Sequence, residues 1–173
     1  MQFISIKRIL LAALAAFLSA YTLDVVISLA WLSADYAQLA AVFRAPAELQ
    51  ARLWLGLAVY AVYYVMFAGL FARLHSAPAG EPPKAKGVLE VAAESAKTPA
   101  WWVAGFGFGV FMALLFSVPS ALMQYVYYPL PLALALKWIV SGFLAQTLSG
   151  VVVSAILYPR SAKLAARVNP GET

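Results

Sequence analysis

Four stretches of this chain stay apolar for the length of a bilayer crossing, and polar or proline-bearing sequence interrupts them. They run over 9–32, 53–72, 101–125 and 132–157. A hydrocarbon core about 30 Å thick needs about 20 such residues per helix. The pattern therefore predicts an all-α membrane protein, a single domain built as an antiparallel bundle of four transmembrane helices.

The connections differ in kind. SADYAQLAAVFRAPAELQARLW, after the first span, mixes apolar and polar residues and is expected to lie along the membrane interface, with Trp31, Tyr36, Phe43 and Trp54 as an aromatic belt. Within it Pro46, Ala47 and Glu48 read as a helix start, with proline in the first turn and an acid beside it. The Pro, Gly and small polar residues of 75–87 predict a flexible linker, and VLEVAAESAK a short surface helix. Pro129 and Pro131 leave room only for a tight turn between the third and fourth spans.

Composition agrees with the pattern: 64% of the 173 residues are hydrophobic and 11% charged. Soluble domains run at about 45–50% and about 25%. Charge supplies orientation. Lys7, Arg8, Arg73, Lys84, Lys86, Lys97, Arg160, Lys163 and Arg167 fall on one side, Arg44 and Arg52 on the other. The positive-inside rule puts both termini in the cytoplasm, and the net charge of +5 needs no nucleic-acid partner. Lys7 and Arg8 also precede a weak cleavage-like LSA at 18–20. The apolar run continues to Leu32, too long for a signal peptide, so this segment is expected to remain as a helix.

Little reactive chemistry remains. There is no cysteine, and His75 is the one histidine, so thiol, cluster, haem and histidine-metal sites lack their ligands and no cofactor is expected. No nucleophile and base stand out, and the chain does not read as an enzyme. The informative residues are polar ones inside the spans. Small residues four apart mark contact faces in lipid: Ala12, Ala16 and Ala20 lead to Asp24 and Ser28; Gly105, Gly109, Ala113, Ser117 and Ala121 form a second row; Gly142, Gln146, Gly150 and Ser154 form a third. Asp24 continues the first row, so it should face the interior.

Counted at 1.5 Å per residue from the span ends, Asp24 lies about 12 Å and Lys137 about 9 Å inside the external boundary. Similar depth predicts a polar cluster of Asp24, Lys137 and Gln124, with Tyr125 nearby and Tyr60, Tyr63 or Tyr64 as further members. Such a pair either fixes helix register or forms a hydrated site. Gln146 sits about 180° around its helix from Lys137 and should bond a different neighbour across a helix interface. Pro119 should perturb the third span beside the cluster.

The series from Pro119 to Gln146, SVPSALMQYVYYPLPLALALKWIVSGFLAQ with its flanks, resembles small bacterial four-helix membrane proteins of uncharacterised families; the Asp in the first span, the Tyr and FR of the first loop and a terminal LYP add to it. That resemblance implies a fold and a bacterial inner-membrane setting, and no reaction. The expected role is non-enzymatic: an accessory or structural subunit of a larger membrane complex, or a binding module for a lipid or small ligand, with membrane lipids as surroundings. The alternative is a small homodimeric transporter or channel using Asp24 and Lys137.

Overall fold

The computed structural model describes residues 5–75 and 101–157. The linker beyond His75, the short helix expected at VLEVAAESAK and the basic tail lie outside the described residues. Four helices are long and apolar enough to cross a membrane: α1 Ile6–Gln38, α2 Pro46–Leu74, α3 Trp101–Tyr127 and α4 Leu132–Leu157. They pack together as a four-helix bundle, and no strand occurs among the described residues. The expected fold class is the observed one.

Small residues decide how closely α3 and α4 approach. A Cβ at Gly105 would stand 2.5 Å from the Gly150 carbonyl oxygen, and one at Gly109 would collide with the Gln146 carbonyl. Backbone therefore rests on backbone along this antiparallel pair. Ser154 Oγ closes one end by donating to the Trp101 carbonyl. On α1, Ala12, Ala16 and Ala20 are wholly buried, facing a core of Tyr64, Phe67, Phe71 and Phe108. The Phe108 ring meets Phe67 at 4.8 Å and Phe71 at 5.2 Å, both edge-on.

Two helices contain a wide π-turn. In α3 it spans Ala113–Ser117 and ends two residues before Pro119. Proline has no N–H, and its ring crowds the carbonyl four residues back, so one loosened turn absorbs both defects. On a straight helix, residues four apart drift about 40° per step. The wider turn cancels part of that drift, and Ser117 still meets Gly142, where a Cβ would lie 2.5 Å from the serine Cβ.

In α1 the π-turn spans Ser28–Leu32, where the span was expected to end; the helix continues instead to Gln38. One extra residue rotates all that follows by about 100°. Asp35 thus leaves the face that Asp24 occupies, and Tyr36 takes it over.

In the connection after α1, Tyr36 and Phe43 pack onto Trp138: Tyr36 and Phe43 rings meet at 5.4 Å, Phe43 and Trp138 at 6.4 Å. Trp138 Nε1 donates to the Tyr36 hydroxyl at 3.0 Å. With Ile27, Leu32, Leu130 and Leu134 these rings form a second, smaller core that caps one end of the bundle. Trp54 stays exposed on α2, which begins at Pro46 as its sequence predicts. At the opposite end Arg8 Nη2 donates to the Ile156 carbonyl at 2.7 Å, tying the start of α1 to α4.

Candidate functional site: a polar cavity between the four helices

Between the Trp138 cap and the phenylalanine core the bundle opens into a cavity of about 390 Å³ to which all four helices contribute. From α1 come Asp24, Ser28 and Tyr36, and from α2 Tyr60 and Tyr64. Helix α3 contributes Ser117, Ser120 and Gln124, and α4 Trp138, Ser141 and Gln146. The small-residue rows explain why the space exists. Where Ala12, Ala16 and Ala20 give way to Asp24 and Ser28, α1 stops packing on the core. The Pro46–Val62 half of α2 is largely exposed, with Leu49, Leu53, Val59 and Val62 all facing outward, and so does not fill the gap.

The cavity has a defined floor. Tyr63 donates its hydroxyl proton to Gln146 Oε1 at 3.0 Å, bridging α2 and α4. One turn deeper, Ser149 Oγ donates to the Ala145 carbonyl at 2.7 Å and lies 3.4 Å from the Tyr64 hydroxyl oxygen. Tyr64, Phe67 and Phe108 then close the interior toward the Arg8 end. Polar groups of the floor are thereby partnered, as buried groups must be.

The structure brings together Asp24, Gln124, Tyr60 and Tyr64 of the anticipated cluster and adds Gln146. Tyr125 is 40% exposed and is not part of the lining, and neither is Lys137. The expected pairing of Asp24 with Lys137 is corrected: Lys137 Nζ lies 2.6 Å from Asp35 Oδ2, with the Trp31 ring centroid 5.7 Å away. Depth counted from Leu32 failed because α1 does not end there. The contacts Asp35 to Lys137 and Arg8 to Ile156 set the antiparallel register of α1 against α4. By that register Asp24 is level with Ala145 and Gln146, about 12 Å along the axis from Lys137.

Asp24 therefore has no ion pair or side-chain hydrogen bond among the described residues. The remaining described bases near its end of the bundle, Arg44 and Arg52, flank Glu48 on the surface at 3.4 and 3.6 Å. A carboxylate placed within a membrane span faces space, serine hydroxyls and tyrosine rings. No group of three or more metal-ligating side chains occurs among the described residues. His75 ends α2, its ring stacked on Phe71 at 4.1 Å, remote from the cavity.

Sequence reasoning missed Asp35, Tyr36 and Trp138, which it had assigned to the interface or not singled out, and the four serines as a set. Spacing carried a signal for the serines, since Ser117, Ser120 and Gln124 lie three and four apart on one face. Comparison of the chain with protein-family models, curated proteins and solved structures returns no match.

Proposed function

We propose that this is a non-enzymatic polytopic protein of the bacterial inner membrane that binds a small ligand in the cavity between its helices. The observation that carries the reading is Asp24, a carboxylate without a counter-ion in a roomy polar cavity inside a membrane-spanning bundle. An ionisable group within the membrane is costly, so it is retained where water or a ligand reaches it. A volume of about 390 Å³ falls in the range of small-molecule sites, about 300–1,000 Å³. Lys7, Arg8 and Arg73 share one end, so the positive-inside rule puts that end in the cytoplasm and the cavity in the outer part of the bundle.

The absence of cysteine makes a direct test available. Ser120→Cys and Ser141→Cys, introduced singly, should react with a membrane-impermeant thiol reagent added outside intact cells, and Val153→Cys in the packed core should not. Equal protection of all three would mean a dry interior and would end the reading.

A second reading, a small transporter, is favoured by what lies beyond the floor. On the far side of Phe108 an apolar groove of about 410 Å³ runs between α2 and α3, lined by Leu74, Val103, Gly107 and Phe111. Phe108, which borders the groove, packs edge-on against Phe67 of the core beneath the polar cavity. Flux across proteoliposomes that Asp24→Asn abolishes would favour transport over binding alone.

A further inference from the structure

Resting on the binding reading, we propose that the ligand is a small organic monocation, a protonated or quaternary amine with an apolar body. Asp24 is the one charged residue of the lining among the described residues, and each described base that might neutralise it is engaged or distant. Lys137 is held by Asp35, Arg44 and Arg52 by Glu48, and Arg8 by a carbonyl at the opposite end. An anionic ligand would meet an uncompensated like charge in a low-dielectric setting. A neutral ligand would displace water from the carboxylate and give nothing ionic in return. Hard divalent cations want six or more oxygens and usually several carboxylates, and this cavity offers one. A monocation supplies the missing counter-charge.

The aromatic wall of the cavity points to the same ligand class. Tyr60 and Tyr64 rings lie 6.4 Å apart, inclined at 33°, and both line the cavity with Asp24. Tyr36 and Trp138 line its capped end, tied to each other by the indole hydrogen bond. Electron-rich ring faces attract ammonium groups, most strongly when water is excluded. Carboxylate and rings together select an alkylated amine over a hydrated inorganic ion, because the rings stabilise the apolar body as well as the charge.

The test uses the full chain in nanodiscs of uncharged lipid, with equilibrium dialysis of four probes: choline, benzyltrimethylammonium, the uncharged tert-butyl isostere of choline, and phenylacetate. Both cations should bind at least about tenfold more tightly than the isostere, and phenylacetate should not bind. Asp24→Asn should bring choline and its isostere within about threefold of each other, and Asp24→Glu should restore most of the difference. Ser120→Phe, which fills the cavity from α3, should abolish binding of every probe. If choline and its isostere bind equally, Asp24→Asn changes neither, and Ser120→Phe still abolishes both, the ligand class is overturned and the binding reading stands. If no probe binds, or Ser120→Phe leaves binding intact, both fall.

Discussion

Lys137 Nζ lies 2.6 Å from Asp35 Oδ2, each side chain about one quarter exposed, with the ammonium over the Trp31 ring. Two acids of α1 thus have opposite fates: Asp35 holds the lysine and Asp24 is left to the cavity. Exposed pairs contribute about 0–1 kcal/mol, and breaking buried ones costs about 3–5 kcal/mol. A pair of this exposure should fall between. Asp35→Asn and Lys137→Met are each expected to destabilise the bundle by about 1–3 kcal/mol, and the double variant by less than their sum. Thermal unfolding in mild detergent measures this, and additive effects would mean that the pair does not couple.

Asp24→Asn should behave in the opposite way. Removing a carboxylate with no ionic partner takes away a desolvation cost and breaks no contact, so stability should be unchanged or raised. A drop of more than about 1 kcal/mol would reveal a partner for Asp24 and contradict the open site.

Glycine positions give a paired prediction. Gly109→Val and Gly150→Val force the backbones of α3 and α4 apart and should cost more than about 3 kcal/mol or prevent folding. At Gly56 and Gly69 of α2 an added Cβ meets nothing within 4 Å. Alanine there should stabilise by up to about 1 kcal/mol through helix propensity. Melting temperatures of the four single variants suffice, and equal effects would refute the packing of α3 on α4.

The cavity floor separates packing from hydrogen bonding. Phe67→Ala removes a ring that is 1% exposed at the centre of the core, and should cost about 3–5 kcal/mol. Tyr63→Phe deletes one interhelical hydrogen bond and should cost only about 0.6 kcal/mol, since side-chain hydrogen bonds within bilayers contribute little net stability. Chemical denaturation of the two variants distinguishes these magnitudes, and a reversed order would shift the stability of the floor onto its polar bridge.

Capping by Trp138 can be tested through access. Trp138→Phe keeps a ring against Phe43 and removes the indole donor to Tyr36. Thiol reagents should then modify Ser141→Cys faster than in the parent background, by about threefold or more for the loss of one hydrogen bond. An unchanged rate would show that the hydrogen bond does not restrain the capped end.

The number of spans, the α3–α4 hairpin and the inward direction of Asp24 are legible in the residue pattern. Those properties are local: bilayer thickness fixes the length of an apolar run, two prolines force a turn, and a small-residue row marks the face that neighbours approach. Which acid meets Lys137 emerges only from the packing of the helices. The choice rests on the π-turn at Ser28–Leu32, which carries no proline signature, adds one residue to a helix and rotates Asp35 about 100° away from Asp24's face. Whether that widened turn is stable depends on Tyr36, Phe43 and Trp138 packing beyond it. Those contacts join residues a hundred positions apart, so no pattern confined to α1 discloses them.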